Sequence, residues 1–410
     1  MAPLKILICG GGCAGPTLAF WLARGGHQVT IVERLPALRA TGSQIDLRGA
    51  GIEVVKRMGL IETIRDKLVD EAGTSIIDSQ GKVIGNLMAN KTGKGAQSFT
   101  SEYEIMRGDL VRILYEATKN DVQYIFDKTV EQFEQDEDKV TAHFSDGSSG
   151  VFDVLVGADG QGSRIRRAIL SPDASDPYVK FGIHVAYWFI PRIETDTNML
   201  NCYNGTGGRI IMRRSHNPTE TQVICFFRDC SPELSDIPKA SVEKQKEFWT
   251  QRFQDAGWQS ERFLEGMKTT DNWYCQEIVQ VCTDTWSKGR AVLLGDAAHC
   301  PSPLSGMGTS SALVGAYVLA GEINRHSDQL AVAFDTYDQT LRPFVNTVQK
   351  LNPTFIRLGM PESWWGIAIL RFIFRVLFLL RIPAFMSRFM AERDGDWKLP
   401  EYRNGDLRED

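Results

Sequence analysis

Three glycines near the start of the chain have the spacing of a nucleotide-phosphate site. Gly10, Gly12 and Gly15 fit the pattern G-x-G-x-x-G and follow the apolar run 4–8. In this pattern the first glycine permits a tight turn, the second lets a pyrophosphate approach the backbone, and the third lets helix and strand pack closely. Glu33 follows the next apolar run, where a carboxylate suits an adenosine ribose hydroxyl. This spacing predicts dinucleotide binding, and a glycine turn without a ligand is less typical of such a context.

Two further glycine-anchored segments occur much later in the chain. Residues 153–166 are DVLVGADGQGSRIR, and residues 291–308 are AVLLGDAAHCPSPLSGMG. In the later segment, Gly295 and Asp296 follow an apolar strand and open a turn whose N–H groups suit a phosphate. The first glycine segment alone would fit any dinucleotide. The three together favour FAD, held in an extended pose by one discontinuous domain.

The elements that position these segments follow from hydrophobic periodicity. Residues 1–70 alternate strand and helix, which indicates the start of a parallel α/β sheet, and residues 106–119 have helical spacing. Residues 177–285 contain strands separated by polar turns, with a helical pattern at 241–256. The predicted fold class is therefore α/β: a Rossmann-like parallel sheet for FAD, a second, mostly antiparallel sheet for the substrate, and a C-terminal helical segment.

The same patterns predict how the chain divides into domains. The FAD-binding domain comprises residues 1–72, 101–176 and 286–345. The substrate-binding sheet comprises residues 73–100, expected to form a hairpin that leaves the main sheet, together with residues 177–285. The C-terminal helical segment comprises residues 346–410.

Length and composition limit the possible classes of function. A chain of 410 residues favours two lobes. A net charge of −5, with no basic run, argues against a nucleic-acid partner. The eight cysteines form no C-x-x-C pair and the six histidines show no metal-ligand spacing, so we expect neither a disulfide framework nor a metal site. The first strand starts by residue 4, which leaves no room for a secretory signal, and we expect a cytoplasmic protein.

The motifs together resemble one known family of enzymes. The segments GGGCAG with Glu33, MRGDL with Arg107, LVGADGQGSRIRR and LLGDAAHCPSPLSGMG are similar to those of the class A flavin monooxygenases. That family includes para-hydroxybenzoate hydroxylase, and residues 41–60 resemble its tetracycline-modifying branch. The resemblance covers residues 1–350 and implies an FAD-dependent oxidoreductase.

The resemblance also implies which residues contact FAD. Asp296 would accept a hydrogen bond from the ribityl chain, and Arg107 would reach the cofactor. Pro303 and the turn at residues 306–308 would line the isoalloxazine ring, where glycine lets the backbone approach a flat surface. Met307 departs from the glutamine common in the family, and a thioether cannot donate a hydrogen bond. The expected cofactor residues are Gly10, Gly12, Gly15, Glu33, Arg34, Asp46, Arg107, Asp159, Asp296, Pro303, Gly306, Met307 and Gly308.

The reaction and the substrate contacts follow from the same resemblance. NADPH or NADH would supply hydride to FAD, and O2 would then form a flavin C4a-hydroperoxide that hydroxylates or epoxidises an electron-rich aromatic or polyketide-like small molecule in secondary metabolism. His184 and Arg209 are predicted to position the substrate, with His184 a candidate base toward a phenol. Met212 and Phe226 are predicted to contact it.

Several alternatives remain open at this stage. The segment AYWFIP at residues 186–191 partly matches the W-x-W-x-I-P motif of flavin-dependent halogenases but lacks its first tryptophan. A non-catalytic protein that binds FAD or a ligand is a third possibility, and the chain could be a monomer or a homodimer. Residues 363–390 are rich in large apolar side chains and carry four arginines. They predict a helix that covers protein surface or, alternatively, makes peripheral contact with a membrane.

Overall fold

The computed structural model describes residues 3–38, 42–89, 102–215, 217–380 and 397–402. Within these ranges the chain forms a largely parallel sheet packed with helices, a large, mostly antiparallel sheet, two smaller sheets and helices at its C-terminal end. The α/β fold class predicted from the sequence is confirmed.

The first sheet has six strands, and its centre is the first apolar run of the sequence. That strand, β1 (Lys5–Cys9), pairs in parallel with β2 (Gln28–Val32) on one side and with β11 (Val154–Gly157) on the other. A central strand of a helix-covered parallel sheet is buried on both faces, which explains its unbroken apolar sequence KILIC. The spatial order is β17 (Ser287–Lys288), β18 (Ala291–Leu293), β11 (Val154–Gly157), β1 (Lys5–Cys9), β2 (Gln28–Val32) and β7 (Gln123–Ile125).

The second large sheet has seven strands and gathers distant parts of the chain. The predicted hairpin of residues 73–100 contributes two strands up to residue 88, while residues 90–101 lie outside the described ranges. The first of these strands, β4 (Gly73–Ile77), pairs in parallel with β13 (Met199–Gly205). The order is β16 (Tyr274–Val281), β12 (Tyr178–Pro191), β15 (Glu220–Arg228), β14 (Arg209–Arg214), β13 (Met199–Gly205), β4 (Gly73–Ile77) and β5 (Val83–Met88).

The two faces of this sheet carry different apolar clusters. One face packs against helices α6 (Val242–Phe253) and α7 (Ser260–Thr269) and is called the helix face here. The other, called the cleft face, packs in part against Leu304, which follows the third glycine-anchored strand of the sequence. Because successive side chains of a strand point to opposite faces, strands β12, β14, β15 and β16 contribute to both clusters.

Two small sheets complete the β structure. An antiparallel ribbon joins β3 (Gln44–Leu47) to β6 (Tyr103–Met106). A three-stranded antiparallel sheet contains β8 (Val130–Gln135), β9 (Val140–Phe144) and β10 (Ser149–Phe152).

Helices fill the remaining layers. The predicted helices at 106–119 and 241–256 correspond to α4 (Arg107–Glu116) and α6, whereas α7 was not predicted. Short 3-10 helices occur at Pro232–Lys239 and Pro303–Ser305. The other helices are α1 (Ala14–Arg24), α2 (Ala50–Arg57), α3 (Ile61–Arg65), α4 (Arg107–Glu116), α5 (Arg164–Ile169), α8 (Asp296–His299), α9 (Gly308–Arg325), α10 (Leu330–Val348), α11 (Pro353–Gly359) and α12 (Trp364–Leu379).

The division into two sheets follows the same segments as the predicted domains. Sheet membership alone does not define a domain boundary, so the boundaries 1–72, 101–176, 286–345 and 73–100, 177–285 stay a prediction. The C-terminal segment is described only up to residue 380 and from 397 to 402.

Candidate functional site

The turn between β1 and α1 is built from close backbone contacts. Gly10 has φ = 117°, and a Cβ there would lie 2.3 Å from the carbonyl oxygen of Ala158. A Cβ on Gly15 would lie 2.1 Å from the carbonyl oxygen of Gly10. Both distances are below any normal contact, so only glycine fits at these two positions. The turn therefore brings the start of α1 directly against the second glycine-anchored segment.

Glu33 lies at the end of β2, beside this turn. Its Oε2 accepts a hydrogen bond from the backbone N–H of Gly11 at 2.8 Å, and its Oε1 accepts one from Leu35 at 3.0 Å. These two bonds fix the carboxylate next to the glycine turn, and each oxygen retains a lone pair for a ligand hydroxyl. Arg34, the next residue, is exposed.

The second segment presents a carboxylate to the same place. Asp159 Oδ2 accepts a hydrogen bond from the backbone N–H of Arg164 at 2.7 Å. Its Oδ1 is buried and has no hydrogen-bond partner within the described part of the chain. Because a buried acceptor without a partner is costly, this oxygen indicates a missing polar group at the site.

A fully buried arginine connects the second segment with the third. Arg166 donates from Nη1 to the carbonyl oxygen of Ala297 at 2.9 Å and from Nη2 to the hydroxyl of Tyr178 at 2.7 Å. Ala297 belongs to α8, the short helix after β18, and Tyr178 begins β12 of the large antiparallel sheet. Arg166 thus links the two glycine-anchored segments to the second sheet.

The third segment returns to the start of α1. Gly295 has φ = 63°, and a Cβ built on it would lie 3.1 Å from Cβ of Ala14. The adjacent Asp296 is accessible to solvent. Desolvation by the surrounding protein atoms raises the pKa of its carboxyl, and the guanidinium of Arg107 opposes that shift. For Arg107, burial favours the neutral form, but Cys13 and Asp296 favour the cation and the guanidinium pKa is raised.

The segment after Asp296 forms a second glycine turn at the start of α9. Gly306 has φ = 66°, in the left-handed region, and Ser302 also has a positive φ of 77°. Met307 is buried, and its N–H donates to Ser305 Oγ at 3.0 Å. A Cβ on Gly308 would meet no atom within 4 Å. The first N–H groups of an 18-residue helix lie here, and their partial positive charge favours an electron-rich group.

The β3–β6 ribbon is anchored to the same helix. The backbone N–H of Arg48 donates to Ser310 Oγ at 2.9 Å, and Arg48 forms an ion pair with Asp46 at 2.8 Å. Asp46 also faces Glu104 across the ribbon. Asp46 therefore lies near the α9 turn, but its carboxylate is engaged in an ion pair.

Residues that fit FAD are therefore present around one region. A Cβ on Gly12 would have only the guanidinium of Arg107 nearby, at 3.6 Å, and Gly308 has open space. Together with the unpaired Oδ1 of Asp159, these features leave space and polar partners for a ligand near the start of α1, the start of α9 and the turn after β11. The individual cofactor contacts of the residues from Gly10 to Gly308 that the resemblance suggests stay predictions.

The structure separates the four predicted substrate residues into two pairs. Met212 and Phe226 lie on the cleft face, in the cluster that includes Leu304. His184 and Arg209 both face Phe227 across the sheet register, and Phe227 belongs to the helix face. A substrate contact for His184 or Arg209 on the cleft face conflicts with this geometry.

The partners of the two residues on the helix face are structural. His184 stacks on Phe227 with ring centroids 4.8 Å apart, and its Nε2 lies 3.2 Å from the carbonyl oxygen of Asp229. Arg209 donates to the carbonyl oxygen of Arg252 at 2.7 Å and pairs with Asp255 at 2.5 Å. The strand pattern predicted these strands, but it did not fix which face α6 and α7 would cover.

Several site residues were not predicted from the sequence. Tyr187 and Tyr274 form a ring pair with centroids 5.1 Å apart, and both hydroxyls interact electrostatically with Arg107. Arg214 forms a bidentate ion pair with Glu71, both distances being 2.9 Å, beside the buried Glu104. Ala186 lies at the position where the halogenase motif has its first tryptophan. Trp188, which matches the second tryptophan, is fully buried on the helix face and donates to the Phe263 carbonyl at 2.9 Å.

Comparison with known proteins decides the family. A family model for the FAD binding domain matches residues 3–351. The chain belongs to this family of FAD-dependent monooxygenases. The FAD-dependent monooxygenase asL4 of Sarocladium schorii is 39% identical over 424 residues, which cover 98% of this chain and 99% of the relative. Monooxygenase CTB7 of Cercospora beticola is 35% identical, with 98% of each chain covered.

Solved structures agree with this assignment. Tetracycline destructase Tet(55) has a TM-score of 0.80 to this monooxygenase at 28% identity, covering 98% of this chain and 99% of that one. Tetracycline destructase Tet(51) has a TM-score of 0.79 at the same identity, covering 98% and 100%. The predicted family, the FAD cofactor and the classification as a flavoprotein monooxygenase are confirmed.

Two glycine substitutions separate cofactor contact from folding in this monooxygenase. Gly12→Ala adds a methyl group that the protein itself accommodates, so we expect unchanged stability but an FAD dissociation constant raised at least about tenfold. Gly15→Ala forces a backbone contact at 2.1 Å and should destabilise even the FAD-free protein by more than about 2 kcal/mol. Flavin titration and urea unfolding measure the two effects. If both variants lost the same free energy of unfolding, the proposed contact between Gly12 and FAD would be contradicted.

The buried His299 predicts a pH dependence of stability. Burial lowers its pKa to about 4, below the unfolded value of about 6.5. Below pH 6.5 the unfolded chain therefore binds a proton that the folded chain excludes, so stability falls as the pH decreases to 4. His299→Gln should remove up to about 3 kcal/mol of this pH-dependent loss. The measurement is the free energy of unfolding of both proteins between pH 7 and 4.5. The same decrease with falling pH in both proteins would contradict the prediction.

Proposed function

We propose that this protein is an NAD(P)H-dependent FAD monooxygenase that hydroxylates or epoxidises an electron-rich aromatic or polyketide-like small molecule. The observation that supports this best is the contact between the cleft face of the large antiparallel sheet and Leu304 of the α9 turn. Those two surfaces would place an apolar substrate beside the ring that the turn lines in related enzymes. Two structural relatives, Tet(51) and Tet(55), are named tetracycline destructases, and such a substrate is consistent with this proposal.

The chain's own residues would hold FAD at three places. The α1 turn and Glu33 would bind the adenosine and pyrophosphate half, because N–H groups at a helix start favour an anion. Arg107 and Asp296 would contact the middle of the molecule, and the turn from Pro303 to Gly308 would lie along the isoalloxazine ring. Bound FAD would supply the two-electron chemistry by which hydride from NADPH or NADH activates O2, with one oxygen atom entering the substrate and the other leaving as water.

The cleft face would select and orient the substrate. Its half-buried side chains include Met212 and Phe226. In the sheet register Ile224 is paired with Met212, and Val185 is paired with Phe226. A wall of this composition binds flat apolar molecules and excludes water from the reacting atoms. On the same face the paired rings of Tyr187 and Tyr274 lie within electrostatic range of Arg107. We propose that their hydroxyls bind the polar group of the substrate.

The halogenase alternative has less support. The single tryptophan of AYWFIP, Trp188, packs in the core of the helix face and does not reach the cleft face. Family membership likewise favours an enzyme over a non-catalytic flavoprotein.

A substrate screen tests the proposed reaction. The FAD-loaded protein is incubated with NADPH or NADH and a panel of phenolic and polyketide compounds, and product masses are recorded with and without chloride. We expect at least one compound to stimulate cofactor oxidation and to gain one oxygen atom in the absence of halide. A product that requires chloride would support the halogenase instead, and no stimulation by any compound would favour a non-catalytic protein.

Two neighbouring phenylalanines provide a matched test of the cleft face. Phe226 is half-buried on the cleft face, whereas Phe227 is fully buried on the helix face. Phe226→Ala should keep FAD content and stability but raise KM about tenfold and lower the fraction of NAD(P)H oxidation that yields oxygenated product. Phe227→Ala should instead destabilise the fold by about 3–5 kcal/mol.

His184→Ala is the corresponding control on the helix face. Because His184 stacks on Phe227, its replacement should lower stability while KM and product yield per NAD(P)H stay unchanged. An unchanged KM for Phe226→Ala together with a raised KM for His184→Ala would mean that the substrate binds on the other face.

A further inference from the structure

Helix α12 is apolar on two opposite sides. Its inner side packs against β5, where the ring of Phe378 occupies the space that a side chain on Gly85 would fill. On the same side Ile367 is buried, and Arg371 donates to the carbonyl oxygen of Asn204 at 3.2 Å. These contacts hold the helix along the edge of the large antiparallel sheet. They account for only one of its two apolar sides.

The outer side exposes large apolar residues at helical spacing. Trp365, Ile369, Phe372 and Leu379 follow one another at intervals of three, four or seven residues, so they lie on one side of the helix. Phe372 is 66% exposed and Leu379 is 81% exposed. The preceding Trp364 is 74% exposed. Burial of one side explains an amphipathic helix, but not a helix whose solvent side is also aromatic and aliphatic.

The charge of this region is the opposite of the charge of the whole chain. Residues 363–391 contain four arginines and no Asp or Glu, although the chain carries a net charge of −5. Within α12, Arg375 is exposed beside the apolar side. A surface that combines exposed tryptophan, phenylalanine and leucine with arginine is complementary to a bilayer with anionic headgroups.

A second copy of the chain fits this surface less well. Around a twofold axis each residue of the patch meets the same patch of the partner, so the arginines of α12 would approach one another. The helix offers no carboxylate to pair with them. A spanning arrangement is also disfavoured, since no helix in the described ranges has the length and hydropathy needed to cross a membrane.

We propose that the outer side of α12 binds the surface of an anionic bilayer, with the helix lying parallel to the membrane plane. The neighbouring helix α11 contributes Ile356 to the cleft-face cluster, and Met360 after it is buried in the same cluster. The docked helix would therefore hold the substrate cleft close to the lipid, from which an apolar substrate could enter. The proposal stands on the surface of α12 and is independent of the reaction catalysed.

Vesicle flotation tests this surface directly. The FAD-loaded full chain is mixed with vesicles of phosphatidylcholine alone or with added phosphatidylserine, and the floating fraction is measured. We expect flotation with the anionic vesicles and a vesicle affinity reduced at least about tenfold by Trp365→Glu or Phe372→Glu. Arg375→Gln should reduce the preference for the anionic vesicles without abolishing binding.

A matched control distinguishes binding through the surface of α12 from nonspecific adsorption to vesicles. Val151 is 56% exposed on β10, far along the chain from α12, so Val151→Glu adds the same charge without touching the patch. This variant should float like the unmodified protein, and all variants should keep their flavin absorbance.

Three results would overturn the proposal. One is the absence of flotation by the unmodified protein. Another is equal flotation of Phe372→Glu and Val151→Glu. The third is a dimer, detected by light scattering, that Phe372→Glu converts to a monomer while the vesicles bind neither form, because a second copy would then cover the helix.

Discussion

The site depends on backbone contacts that a side chain would prevent. At Gly10 and Gly15 a single methyl group would collide with a carbonyl oxygen at 2.3 Å and 2.1 Å. At Gly295 the backbone has a positive φ and packs on Ala14. These contacts bring together three segments that are far apart in the chain, at the N-terminal end of α1. An elongated dinucleotide can bind there because the protein backbone, rather than side chains, forms the wall.

Buried charges then fix the segments relative to one another. Arg166 is completely buried and donates to the Ala297 carbonyl and to Tyr178, so it joins the α/β sheet to the start of the substrate sheet. Arg107 and Asp296 favour each other's charged forms, although desolvation by the surrounding protein opposes both charges. Such groups are costly to bury unless they find partners, so their arrangement tolerates little displacement. The glycine turns and the cleft face are thereby held in one relative position.

Most of the cofactor region could be predicted because its signals are local. The glycine spacing, the apolar strand before it and the carboxylate of Glu33 all lie within about one βαβ unit, and each reflects a steric or hydrogen-bonding requirement. The helix α4 with Arg107 at its start was also predictable from its periodicity. Contacts between the segments were implied only by the family resemblance, since spacing within one segment carries no information about another.

The substrate face was less predictable for a physical reason. Alternation along a strand defines two faces but does not tell which one the helices cover. Arg213 and Arg214 illustrate this: Arg213 pairs with the buried Asp196 at 2.6 Å, while the adjacent Arg214 pairs with Glu71 on the other face. Which face His184 and Arg209 occupy was likewise not predictable, because α7 gave no clear signal and its packing decides which face the helices cover. Their roles toward the substrate stay predictions. The outer apolar side of α12 also required the structure, since sequence alone did not show which side β5 would cover.

The most direct test of the account is the flavin content of the purified chain. The protein is denatured, and the released flavin is identified and counted against the protein by its visible absorbance. We expect one FAD for each chain, either as purified or after reconstitution with FAD. A colourless protein that binds no FAD when it is supplied would contradict the convergence of the three segments on one cofactor.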